Sequence, residues 1–297
     1  MHSRFWRVIV SMIGMAACAL VLIQIGISAQ ARGGAAPAPQ AAPAAPAARG
    51  AATAAPEYRA PRTGDGHPNL SGIWQSMNEA NWNLEPHSAD TWRVSALGAV
   101  DSTPPGAGIL ADGDAIPYLP AAAAKRKENF AKRLTLDPEI RCYLPGTPRA
   151  MYQNMPFQII QGTEYIAMAF QFAGALRTIY MKQTPGPADS WMGWSNGHWD
   201  GETLVIDTKD FNGMAWLDRS GNFTSDKLHV VERITAMDKD HLNYEATIED
   251  PETFSRPWKI SFPLYRRVEQ NARLLEFKCV EYAEEVIYGK LRKGATN

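Results

Sequence analysis

The chain has 297 residues, 45% of them hydrophobic and 21% charged, and its 30 basic and 31 acidic side chains leave a formal net charge of −1. This is ordinary globular composition, which argues against a basic nucleic-acid binder and a disordered polyanion. Three cysteines are too few for a disulfide-framework miniprotein or a four-thiolate zinc site.

Arg4 and Arg7 precede an apolar run over 8–27 that closes on Ala29-Gln30-Ala31. Residues 1–31 therefore read as a signal peptide, cleaved before Arg32. The run is also long enough for an uncleaved anchor, the one circumstance in which a membrane is an expected partner. Either way the chain is expected to be exported, to the periplasm or the extracellular space. Residues 32–57 are almost entirely Ala, Pro and Gly, a linker with no large side chain to bury. The remainder, 58–297, reads as a single β-rich domain with a loop and helix insertion at 77–150. Within it, 77–117 is rich in Pro, Gly, Ala and Asn, and a helix is expected over 121–134, with Pro120 in its first turn.

From residue 157 onward, short apolar segments alternate with turn chemistry. Strands are expected at 157–161, 165–172, 176–181, 191–199, 203–208, 228–236, 241–249, 257–265 and 274–282, with Asp200-Gly201 as a hairpin turn. Period two places Leu228, Val230 and Ile234 on one face, then Leu242, Tyr244, Ala246 and Ile248, then Trp258, Ile260, Phe262 and Leu264, then Leu275, Phe277 and Cys279. The fold expected is mainly β: an antiparallel meander closed as a barrel, or packed as a sandwich, with one short helix and long N-terminal loops. Export lets Cys142 and Cys279 pair once Cys18 has left with the signal. Buried free thiols and a nucleophilic cysteine are the alternatives, and the apolar phase of Cys279 weighs against the last.

Gly72 and Trp74, in Leu70-Ser71-Gly72-Ile73-Trp74, resemble the Gly-x-Trp signature that opens the first strand of lipocalins and other calycins. The resemblance implies a tryptophan closing the barrel floor beneath an arginine from a late strand, here Arg266 or Arg267. More broadly, the segments 66–74, 142–146, 197–201 and 249–251 resemble an uncharacterised exported bacterial protein family, which implies no site residues.

No dinucleotide, Walker A, zincin, nucleophile-elbow or C-x-x-C motif occurs, so no cofactor and no metal site is expected. The candidate catalytic residues are Glu232, His229, Asp218 and Arg219. Glu232 occupies the apolar phase of its strand, set opposite Tyr244; it reads as a general acid or base, or as a barrel-floor ion pair or rim residue. His229 lies on the other phase, as a proton-transfer group if that face lines a pocket and a surface residue otherwise. Asp218 and Arg219 clamp a polar ligand, or Asp218, Asn222 and Asp226 build a self-capping turn. Trp194, His198, Tyr244, Trp216, Asn222 and Asp226 are the candidate ligand-binding residues, aromatic walls with a few polar groups. Together they suggest a binding protein for a small hydrophobic or aromatic molecule. A cofactor-free lyase, isomerase or hydrolase using Glu and His, and a structural envelope protein without ligand, are the alternatives. Oligomeric state is not readable from these residues.

Overall fold

Period-two patterning over successive segments makes ribbons with one apolar face, and such a face is stable only when covered. The computed structural model describes residues 58–91, 102–288 and 290, so the expected signal peptide and the whole of the expected linker lie outside the described residues. The strands are β1 (Gly72–Ser76), β2 (Asp90–Thr91), β3 (Ser102–Thr103), β4 (Phe157–Gln161), β5 (Tyr165–Phe170), β6 (Leu176–Tyr180), β7 (Trp194–Asp200), β8 (Thr203–Lys209), β9 (His229–Ala236), β10 (His241–Glu249) and β11 (Trp258–Arg266). Nine of them close a barrel in the order β1-β11-β10-β9-β8-β7-β6-β5-β4, with β4 returning to β1, while β2 and β3 form a separate ribbon.

The inward faces of β9, β10 and β11 are those the alternation specifies: Val230 and Ile234, then Leu242 to Ile248 in steps of two, then Trp258 to Leu264 in steps of two, all buried. They interdigitate with Phe157, Ile159, Ile166, Met168, Ile179, Leu204 and Ile206 from the other strands in one contiguous cluster. The barrel is thus filled with side chains, as expected of a small barrel, where the sequence reading placed a ligand-holding hollow.

At one end, Trp74 is fully buried and its indole N–H donates to the Leu70 carbonyl at 3.0 Å. The Arg266 guanidinium lies over its ring, 4.1 Å from the centroid, and donates to the Ser71 and Lys239 carbonyls. Gly72 is required for this approach, because a β-carbon there would overlap Arg266 Nη1. Arg267 instead pairs with Glu269 on the surface.

Three expectations are corrected. The meander is interrupted at β6 and β7, which pair in parallel through Ile179 with Ser195 and Tyr180 with Asn196. Residues 181–193, with Pro185, Pro187 and a left-handed Gly193, supply the long crossover that parallel neighbours need. The expected strand at 274–282 does not form, because β1 already occupies the free side of β11 and closure leaves no sheet edge. That segment runs instead along the outside of the barrel, where Arg267 N donates to the Ile73 carbonyl and Leu275 N to Gln171 Oε1. The helix, α1 (Pro120–Ala131), begins at its proline as expected but ends earlier, where Lys132 leaves helical geometry before the turn α2 (Arg133–Leu136). A further short helix, α3 (Ala283–Tyr288), follows the outer segment.

Replacing Trp74 with Ala removes the largest plug of this end and is expected to cost about 3–5 kcal/mol. Denaturant unfolding followed by far-UV circular dichroism checks it, and a loss under about 1 kcal/mol contradicts the packing described.

Candidate functional site

Arg177, on the inward phase of β6 with Ile179, meets Glu232 inside the barrel; both side chains are essentially inaccessible. Arg177 Nη1 donates to Glu232 Oε1 at 3.0 Å, and Nη2 donates to Oε2 and, at 2.7 Å, to Thr208 Oγ1. Arg177 Nε donates to Ser195 Oγ at 2.9 Å, and the Tyr244 hydroxyl donates to Glu232 Oε1 at 2.8 Å. The register corrects the expected pairing, since Glu232 faces Ala246 and Tyr244 faces Ile234, so the tyrosine reaches the carboxylate diagonally. Both carboxylate oxygens are engaged by the protein itself, which is the structural ion pair and not an acid or base facing substrate. The sequence reading missed Arg177, although a lone arginine in phase with Ile179 was a usable signal.

The remaining candidates disperse. His229 lies on the outer face between two carboxylates, with Nε2 2.9 Å from Asp207 Oδ2 and Nδ1 3.5 Å from Glu249 Oε2. Trp194 is also outside, stacked on Tyr180 with ring centroids 4.3 Å apart, and its indole donates to the Thr184 carbonyl. His198 is exposed on the same outer phase. Asp226 is exposed beside Lys227, and Trp216 is buried in the same connection, bridged to Phe223.

Asp218, Arg219 and Asn222 do come together, at the barrel end opposite Trp74, where the 210–228 connection meets the insertion. Asp218 is fully buried and accepts from Leu84 N at 2.9 Å, Ser220 N at 2.8 Å, Asn222 N at 3.2 Å and Asn222 Nδ2 at 2.5 Å. Asn222 Oδ1 accepts from the Tyr118 hydroxyl and Arg126 Nε. Asp218 and Asn222 therefore build the self-capping turn, while Asp226 takes no part in it.

Beside this turn lies a second buried charge cluster that no local pattern announced. Arg149 donates from Nη1 and Nη2 to Asp137, from Nε to Asn81 Oδ1 at 2.9 Å, and from Nη2 also to Glu139. Arg219 donates to the other side of Glu139, from Nη2 to Oε1 at 2.7 Å and from Nε to Oε2 at 3.1 Å, and lies over the Trp82 ring. The short 3₁₀ turns Pro138–Arg141 and Arg149–Tyr152 place Glu139 and Arg149, and the Asp137 side chain caps the first by accepting from Glu139 N.

The Glu139 and Arg219 pair forms the polar edge of a cavity of about 260 Å³ whose other walls are largely apolar, among them Leu134, Ile140, Phe172, Phe277 and Val280. Phe172 and Phe277, both in its wall, pack against each other with ring centroids 5.1 Å apart. Cys142 and Cys279 are joined as a disulfide, and Cys279 lines the same cavity. The barrel thus encloses a solid core, and this largely apolar cavity sits outside it, under the outer segment. Compared with family models, curated proteins and solved structures, the chain matches none of them.

Electrostatics separate the two buried acids. Burial pushes the Glu139 carboxyl up, but the Arg219 and Arg149 guanidiniums overcome it and hold the group well below the usual carboxylate range. Its contribution to stability is present above its ordinary value of 4.5 and is lost as pH falls below it. Asp218 is the reverse case, since burial pushes it from 3.8 up to about 6 against the donors that pull it down. Between those values the folded protein holds a proton that the unfolded chain has released, so stability falls as pH rises through this window and is level above it. The stability difference between the native chain and Asp218→Asn is expected to shrink by roughly 3 kcal/mol from pH 4 to pH 7. Denaturant midpoints measured across that range check the sign; a difference that grows with pH refutes it. In the barrel, Arg177→Met or Glu232→Leu alone is expected to cost about 3–5 kcal/mol and the double replacement much less. A double-mutant cycle on unfolding measures this.

Proposed function

We propose that the chain is an exported binding protein for a small hydrophobic or aromatic molecule, held in the cavity beneath the outer segment. The observation that carries this reading is the cavity itself: largely apolar walls that include Phe172 packed on Phe277, with charged groups from Glu139, Arg219 and Lys278 at the margin. Apolar enclosure supplies affinity, and a few fixed polar groups supply orientation. At about 260 Å³ the space falls just below the range of roughly 300–1,000 Å³ typical of drug-sized ligands, which favours one or two fused rings or a short branched chain.

Export is supported by the signal-like N-terminus and by the disulfide, which persists in oxidising compartments. The packing of Arg266 on Trp74 past Gly72 supports a calycin-like reading of the barrel, although nine strands and one parallel pair depart from the eight-stranded lipocalin pattern. The acid–base enzyme has less support, because Glu232 and His229 stand on opposite sides of the barrel wall.

Fluorescence titration of the oxidised chain with 2-naphthol and 2-naphthoate tests the reading. Saturable binding is expected, weakened about tenfold, or about 1.4 kcal/mol, by Phe172→Ala or Phe277→Ala. Absence of saturable binding, or indifference to both substitutions, rejects it.

A further inference from the structure

The cavity is built from two parts of the chain that differ in how they are held. Leu134, Glu139, Ile140, Phe172 and Arg219 belong to the insertion and the barrel connections, whereas Phe277, Lys278, Cys279, Val280, Tyr282 and Ala283 belong to the outer segment. Those barrel connections join strands paired into the closed ladder, but the outer segment belongs to no strand. Its described backbone ties to the rest of the molecule are Arg267 N to the Ile73 carbonyl at 2.8 Å, where it leaves the barrel, then Leu275 N to Gln171 Oε1 and Tyr282 N to the Ile140 carbonyl, each at 2.9 Å. Leu275 and Val280 are more than half exposed and Leu274 and Phe277 only partly buried, so the segment's main apolar hold is Phe277 against Phe172.

The covalent tie is the disulfide. It joins Cys279, within the outer wall, to Cys142, which follows the 3₁₀ turn carrying Glu139, across 137 residues of sequence. Both half-cystines are partly exposed.

We infer that the Cys142–Cys279 disulfide is a redox clasp on the cavity: its reduction frees the outer wall, opens the site and releases the ligand while the barrel stays folded. The co-reactant is a dithiol. Its thiolate attacks one sulfur of the bond and its second thiol resolves the mixed disulfide, so the dithiol is oxidised to its own disulfide while Cys142 and Cys279 each end as a thiol. Two electrons and two protons pass to the protein. The barrel is unaffected because its strands pair with one another through closure and the disulfide joins none of them.

This inference rests on the binding reading above for its ligand, and the test separates the two. The full chain, oxidised and after dithiothreitol, is followed by hydrogen exchange with mass spectrometry and by 2-naphthol titration, with Cys142→Ser/Cys279→Ser as a reductant-free counterpart. Reduction and the double variant are expected to raise exchange in 268–283 at least tenfold, leave β9 to β11 protected, and weaken 2-naphthol at least tenfold. Unchanged exchange in 268–283 overturns the clasp. So does loss of protection in the barrel strands along with that segment, which makes the disulfide a general staple, and so does 2-naphthol affinity equal in both states. If 2-naphthol binds neither state, the binding reading fails, and the exchange pattern alone decides whether the wall opens.

Discussion

β1 is five residues long and is paired on both sides, with Trp74 opposite Arg266 of β11 and opposite Phe157 of β4. Through this one short strand the ladder closes, and the rest of the architecture follows from its position. Because β1 and β4 are antiparallel neighbours, the chain leaves the barrel after Ser76 and re-enters it at Phe157 at the same end, and there the described residues between them form a cap. Because β11 has no free side, the chain beyond Arg266 cannot extend the sheet, whatever its alternation. It lies on the outside and is fixed to the cap by a disulfide, and the space left between wall and cap is the cavity.

The same closure explains the interior charges. A barrel of this size is filled by its own side chains, so an inward carboxylate meets protein and not solvent. Glu232 is tolerated because Arg177 answers it with Nη1 and Nη2, and Tyr244 and Thr208 take up the remaining capacity. A pair so fully engaged fixes the register of β6 against β9 across the core and leaves nothing to offer a substrate. The cap repeats the device, with Arg149 and Arg219 gripping Glu139 from two sides, but there the pair borders open space. What makes the cap the better candidate for recognition is this neighbourhood of satisfied charge and unfilled apolar volume.

Much of the barrel was legible in the sequence. Strict alternation over β9, β10 and β11 identified their buried faces residue by residue, since side chains in a strand point to opposite sides in turn. The calycin resemblance implied a floor of Gly72, Trp74 and either Arg266 or Arg267, and pairing of Cys142 with Cys279 was one of the readings open to the cysteines. Of the candidate site residues, Asp218, Arg219 and Asn222 were rightly grouped in one loop, but their partners Glu139, Arg149 and Asn81 lie far away in the insertion, where no period marks them. The segment at 274–282 shows the limit of local pattern: it alternates like a strand yet has no edge to join.

The amino-acid sequence by itself determined which faces of the strands are apolar and where turns interrupt them, because these depend on side-chain chemistry and spacing within a few residues. Only the tertiary structure decided that β6 and β7 run in parallel, that Arg177 neutralises Glu232, and that the cavity lies outside the barrel. Those outcomes depend on which edges and volumes remain after the ladder closes, a property of the whole packed chain that no window of sequence contains.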